Sequence, residues 1–127
     1  MGTPLKIPEN YQAVMLYLIL KDAQKFIDFT TRVFEASLTH KAMRDPHHIQ
    51  HGEVMIGGTT IMFADATETY AERPAGMFVY VLDVDKTFKQ ALEEGGTVVS
   101  SVSDQPYGRS GGISDPCGNT WWITSPK

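Results

Sequence analysis

Residues 110–127 read SGGISDPCGNTWWITSPK, and two features of this stretch decide the fold. Asp115-Pro116-Cys117-Gly118 places Asp, Pro and Gly at the first, second and fourth positions of a type I turn. The residues after it, Asn119–Ser125, are rich in β-branched and aromatic types and predict a strand. Successive side chains of a strand point to opposite faces, so Trp121 and Trp122 face different surroundings. The pleat predicts Trp121 and Ile123 in a core under a helix, and Thr120, Trp122 and Thr124 on a cavity face. The competing assignment buries both indoles in the core.

Working outward, the closing strand ends the second of two similar scripts. In the first, apolar residues Val14–Leu20 predict a strand, and Asp22 stands where a helix N-cap belongs. Phe26, Ile27, Thr30, Val33 and Phe34 follow at helical spacing. The pattern turns strand-like after Ser37, and Gly57-Gly58 separates VMI from TTIMFA with hairpin chemistry. In the second, Met77–Leu82 predicts a strand and Asp83 takes the place of Asp22. Val84, Phe88, Ala91 and Leu92 form a helical stripe closed by Gly95-Gly96. Strands are expected near Thr97–Val102 and Gly112–Ser114. Aligning Asp22 with Asp83 pairs LYLILKD with FVYVLD; aligning Gly58 with Gly118 pairs TTIMFA with NTWWIT. The expected organisation is one domain over residues 1–127. It has module 1 at about 12–65, module 2 at about 76–125, and a linker over 66–76.

The pleat sorts every strand into two faces. Leu16, Leu18, Leu20, Ile61, Phe63, Met77, Val79, Val81, Trp121 and Ile123 share an apolar face suited to lie under a helix. Met15, Tyr17, Ile19, Thr60, Met62, Ala64, Phe78, Tyr80, Thr120, Trp122 and Thr124 share a mixed face. Aromatic, thioether and hydroxyl groups together suit the wall of a ligand cavity.

Composition narrows the functions. The net charge is −4 with Lys and Arg scattered, so no basic stripe exists to neutralise phosphates and nucleic acid is not an expected partner. No apolar run approaches the roughly 20 residues needed to cross a bilayer. The first residues, MGTPLKIPENY, lack the apolar stretch of a signal peptide, and a cytoplasmic location is expected. The single Cys117 excludes an intrachain disulfide framework and stands without a catalytic-cysteine signature.

Five blocks in order carry a resemblance: PENY (8–11), YLILKDAQKFIDFTTRVFEA (17–36), HGEVMIGGTTIMFAD (51–65), YVLDVDKTFKQALEEGG (80–96) and YGRSGGISDPCGNTWWI (107–123). Together they resemble the vicinal oxygen chelate superfamily of glyoxalases, bleomycin-resistance proteins and extradiol dioxygenases, and within it the PhnB-like glyoxalase branch. HxEVxIGGxxIMxAD and DPxGNxWWI are the more specific pieces. Thr30 stands where the branch usually has Tyr, Glu35 where it often has Gly, and Leu16 where it often has Pro. The resemblance implies an α+β fold of two βαβββ modules forming a curved, incompletely closed barrel. It also implies an internal cavity, often completed by dimerisation, so a homodimer is expected.

Enzymes of this superfamily hold a divalent metal on His or Glu side chains from the first and last strands of each module. Those four places fall here at Met15, Met62, Gly76 and Trp122. Hard or borderline divalent ions take N or O ligands, which two thioethers, a glycine and an indole do not supply. The neighbouring Val14, Leu16, Ile61, Phe63, Ala75 and Met77 are no better. No metal and no cofactor are expected.

Other residues offer chemistry. His51 and Glu53 lie two apart on a strand, on the cavity face if Val54 and Ile56 pack inward, and such a pair can transfer protons near neutral pH. A solvated strand end or a dimer contact would leave them without a role. His40, His47 and His48 flank an expected DPHH loop and are expected at the surface. Tyr107–Gly112 reads as a mobile loop. In it Arg109 either holds a ligand carboxylate or phosphate or pairs with Asp104 or Asp115. Tyr17, Met62, Phe78, Tyr80 and Trp122 either line a ligand cavity or fill the barrel themselves. The expected function is binding of an aromatic or amphipathic small molecule without metal. The alternative is a glyoxalase-like lyase, isomerase or dioxygenase using His51 and Glu53, with or without a divalent metal.

Overall fold

The computed structural model describes residues 4–127. The chain runs β1 (Tyr17–Leu20), α1 (Ala23–Phe34), β2 (Ser37–Asp45), β3 (His48–Ile56), β4 (Thr59–Asp65), then β5 (Gly76–Tyr80), α2 (Val84–Glu93), β6 (Thr97–Gln105), β7 (Gly108–Ser114) and β8 (Thr120–Pro126). Each half is βαβββ, and each forms its own four-stranded sheet, ordered β1-β4-β3-β2 and β5-β8-β7-β6. The two sheets do not close into a barrel, in agreement with the expected α+β, glyoxalase-like architecture of curved sheets. Within each, the first and last strands run parallel and the rest antiparallel.

Local chemistry explains most boundaries. Gly57 and Gly58, with φ of 53° and 85°, make the two-residue turn that pairs Ile56 with Thr59. Gly118 N–H donates to the Asp115 carbonyl, closing the DPCG turn. The Asp83 carboxylate caps α2 by accepting from Lys86 N–H. Asp22 does not do the same for α1. It adopts a left-handed conformation, and the carboxylate of Asp65 on β4 accepts from Ala23 N–H instead, at 2.7 Å. The other Asp65 oxygen accepts from Ile49 N–H on β3. A single side chain thus ties the start of α1 to the sheet beneath it. Glu35 ends α1 with φ of 56°, a conformation that glycine adopts more readily, which accounts for the glycine common there in the resembling branch.

Two expectations are corrected, and the DPHH loop is sharpened to a turn. The first strand begins at Tyr17 rather than Val14, because β4 pairs with it only from Met62 onward. DPHH is a tight turn between two paired strands, with Asp45 opposite His48. Tyr107–Gly112 is not a mobile loop: Gly108–Ser114 is the strand β7, paired on both sides. Its glycines serve close packing. A Cβ at Gly112 would collide with the Trp122 ring, and one at Gly111 with Phe88 and Val102.

The helix-side faces of both sheets contribute to one hydrophobic core. Leu18, Leu20, Val54, Ile61 and Phe63 meet Phe26, Phe29 and Val33 of α1; Met77, Ile113 and Ile123 join from the second sheet. Trp121 links the halves. Its ring lies 4.6 Å from that of Phe34 and 6.4 Å from that of Phe26, both on α1. Its indole N–H donates to the buried Asp115 carboxylate at 2.8 Å. Trp121 is 2% exposed and Trp122 40% exposed, so the pleat separates the two as the alternation predicts.

The two tryptophans therefore respond differently to truncation. Trp121→Ala costs about 3–5 kcal/mol, because it empties the junction of the modules. Trp122→Ala costs about 1 kcal/mol, as for a half-exposed side chain. Urea unfolding of both variants measures the difference; equal losses would show that Trp122 is core.

Candidate functional site

Strand register assembles a polar row across the first sheet. Tyr17 on β1 is opposite Met62 on β4, Met62 opposite Glu53 on β3, and Glu53 opposite His40 on β2. Paired residues share a face, so these four side chains stand on the side away from the helices. His51 joins them two residues before Glu53. A hydrogen-bonded chain results. The Tyr11 hydroxyl donates to Glu53 Oε1 at 2.7 Å, His51 Nε2 lies 2.7 Å from Glu53 Oε2, and the Tyr17 hydroxyl lies 2.9 Å from His51 Nδ1. The His40 and His51 rings are 5.7 Å apart.

Electrostatics set the protonation of this chain. Burial pushes the Glu53 carboxyl up, but hydrogen bonds from Tyr11 and His51 and the charges of His51 and His40 outweigh it. The net shift is downward. Glu53 is therefore an ionised acceptor, and His51 Nε2 carries the hydrogen between them. In the neutral ring Nδ1 is then the acceptor, and the Tyr17 O–H donates to it. Hydrogen bonding to Glu53, then burial, holds the Tyr11 phenol above its ordinary pKa. Burial, then the Glu53 charge, does the same for Tyr17. Both remain protonated donors at neutral pH.

The matching row of the second sheet has other chemistry. Phe78 on β5 is opposite Trp122 on β8, Trp122 opposite Gly112 on β7, and Gly112 opposite Ser100 on β6. Gly112 occupies the register position that Glu53 holds in the first sheet, and the Trp122 ring lies over it. Phe78 and Tyr80 pack edge to face at 5.1 Å, and Tyr107 lies 6.4 Å from Phe78.

A cleft of about 610 Å³ opens between the halves. Its walls include Met15, Thr60, Met77, Phe78, Tyr80 and Trp121. Of the expected ligand-contacting residues, Phe78 and Tyr80 lie in this cleft. Trp122, Met62, Tyr17 and Arg109 do not line it. Trp121, assigned to the core, supplies part of its wall. Arg109 is engaged elsewhere: its guanidinium donates to both Asp85 oxygens at 2.9 and 3.1 Å and to Asp104 at 3.1 Å. The Asp104 pairing was an expected one. Asp85 was missed because it is remote in sequence, on α2. Asp115 is committed to Trp121 and the DPCG turn.

The remaining candidates sit at an exposed turn and in the interior. His48 is held by Asp45 at 2.8 Å at the exposed turn. Burial pushes the Cys117 thiol up to about 12, which leaves it protonated at neutral pH. The residues that the resemblance aligns with the superfamily's metal places, Met15, Met62, Gly76 and Trp122, are two thioethers, a glycine and an indole, a donor set that does not fit a hard or borderline divalent ion. Among the described residues, no three His, Cys, Asp or Glu side chains are gathered as a metal site. No helix among them is long and apolar enough to cross a membrane.

Residues 12–123 match the family described as Glyoxalase/Bleomycin resistance protein/Dioxygenase superfamily, and the chain belongs to it. The uncharacterized protein Mb0911c of Mycobacterium bovis is 29% identical over 126 residues, covering 90% of this chain and 83% of that one. TioX from Micromonospora sp. ML1 superposes with a TM-score of 0.71 at 24% identity, over 91% of this chain and 97% of its own. TnmS3 from Streptomyces sp. CB03234, an antibiotic binding protein, superposes with a TM-score of 0.70 at 22% identity, over 92% and 100%. At these identities the two structures report a shared fold.

The lowered Glu53 pKa gives an acid-stability prediction. A depressed folded-state pKa contributes stability above the ordinary carboxylate pKa, and that contribution disappears as pH falls through the lowered value. Glu53→Gln removes this component, so its urea midpoint declines less steeply with acid than that of the parent chain. Parallel declines would mean that Glu53 carries no such linkage.

Proposed function

We propose that this chain binds an aromatic or amphipathic small molecule, without a metal, in the cleft between its modules. The observation that carries the reading is the pair Phe78 and Tyr80, 50% and 63% exposed, on the wall of a cavity of about 610 Å³. Aromatic faces beside a few hydroxyls suit a flat, largely apolar ligand. Thr59 and Thr60 supply hydroxyl-bearing positions on the same wall. Membership of a superfamily that includes resistance proteins, and the likeness to an antibiotic binding protein, support the same class of ligand.

The exposed aromatics also support a homodimer. Phe78, Tyr80, Tyr107 and Trp122 leave a broad apolar face on the second sheet. A two-fold partner is the commonest cover for such a face in soluble homo-oligomers. A cytoplasmic location and the absence of a nucleic-acid partner belong to the same proposal.

A second reading has its own observation. The 2.7 Å His51–Glu53 contact, buried at the carboxylate, has a geometry suited to proton transfer. It supports a glyoxalase-like lyase or isomerase that works by proton transfer on the first sheet.

A thermal-shift screen of planar aromatic and cationic amphipathic compounds tests the first reading. At least one compound should raise the melting temperature, and Phe78→Ala or Tyr80→Ala should weaken it about tenfold or more, as buried aromatic anchors do. A compound whose affinity ignores both substitutions, or a screen without hits, contradicts it. Sedimentation at micromolar concentration should show a dimer; a strict monomer contradicts the assembly.

A further inference from the structure

A second cavity, of about 700 Å³, lies against the first sheet and shares no lining residue with the cleft. Its walls include Tyr17, Arg44, Gln50, Ala64 and Tyr70. Asp65 also lines it, but both of its oxygens are taken by the Ala23 and Ile49 amides. Arg44 is the cation at this wall, and its ion pair with Asp45 is long, at 4.0 Å. The Asp45 carboxylate is meanwhile held by the His47 amide and the His48 ring. A guanidinium with a weakly committed partner therefore borders the same space as Tyr17.

Tyr17 differs from every other aromatic hydroxyl in the chain by what stands behind it. Its O–H points to His51 Nδ1, and His51 Nε2–H is held by an ionised Glu53 whose other oxygen is held by Tyr11. We propose that this cavity binds a weakly acidic phenol or enol as its anion, with Tyr17 as the contacting residue and His51–Glu53 as the proton store. The proton count closes within the site. The ligand O–H gives its proton to the Tyr17 oxygen as the Tyr17 proton passes to His51 Nδ1. His51 becomes an imidazolium held by Glu53, and Tyr17 ends neutral, its O–H now donating to the ligand oxyanion. No electrons move and no co-reactant is needed. The Arg44 guanidinium supplies the remaining counter-charge.

The titratable groups facing the relay are Glu53, in contact with His51, Tyr11 from the N-terminal segment, which holds the other Glu53 oxygen, and His40 on β2, whose ring lies 5.7 Å from that of His51. The inference uses the same His51–Glu53 pair as the second reading above but does not require turnover, and it does not require a ligand in the cleft.

The test uses 4-nitrophenol and two ring-substituted nitrophenols as probes, because neutral and ionised forms absorb at different wavelengths. Below the probe's own pKa the free form is mostly neutral phenol. Adding the full chain should produce saturable phenolate absorbance. Tyr17→Phe should weaken binding about tenfold or more, the weight of a hydrogen bond to a charged group. His51→Gln keeps an acceptor for Tyr17 but cannot store a proton, so it should bind the probe as the neutral phenol. Phe78→Ala, in the cleft, should change nothing. Thermal melts of each variant confirm that it is folded. No saturable binding of any probe, or binding as neutral phenol by the parent chain, overturns the proposal. So does a phenolate spectrum retained in His51→Gln, which would assign the effect to Arg44 alone. Loss of binding in Phe78→Ala would move the probe to the cleft and also overturn it.

Discussion

The Asp115 carboxylate holds the closing turn and, through it, the junction of the two modules. It accepts from the Cys117 and Asn119 amides, from the Asn119 side chain and from the Trp121 indole. The Asn119 side-chain oxygen in turn accepts from Ala75 N–H, just before β5. Four donors converge on one buried side chain, and removing it would orphan all of them at a cost of about 1–3 kcal/mol each. With the indole N–H fixed, the Trp121 ring is delivered to Phe26 and Phe34 on α1. The pleat then leaves Trp122 no choice but the opposite face.

From that constraint follow two outward faces with different chemistry on one repeated frame. The row Tyr17–Met62–Glu53–His40 and the row Phe78–Trp122–Gly112–Ser100 occupy matching register positions. In the first, a carboxylate with two hydrogen-bonding partners builds a relay. In the second, a glycine makes room for an indole, and the face becomes an aromatic platform. The frame is shared because the core needs the same βαβββ packing twice. The outward residues are free to differ because the core does not touch them.

Much of this was legible in the residues themselves. The GG turn, the Asp83 cap, the DPCG turn and the strand alternation are local effects, and each is found where the pattern places it. Resemblance located the fold from blocks spread over nearly the whole chain. The misses are tertiary. Asp22 sits at a cap position, but Asp65, more than forty residues on, does the capping. Gly111 and Gly112 resemble a flexible loop, because only the structure shows the Phe88 and Trp122 rings lying against them. His51 and Glu53 could be placed on one face by spacing. Tyr11 could not, although it lies in the PENY block, since nothing local says that it reaches Glu53. Arg109 shows the same limit: Asp104 is near in sequence, whereas Asp85 is brought to it by α2.

The central claim is that the outward faces and the cleft beside them bind an organic ligand without help from a metal. The most direct measurement is a crystal structure of the protein, purified without chelator and crystallised with divalent ions present, with the strongest screening compound. The account predicts the compound against Phe78 and Tyr80, with no ion bridging it to protein side chains. A divalent ion coordinated by Tyr17, His51, Glu53 or any other side chain and the compound together would contradict it, as would a compound bound away from both sheets.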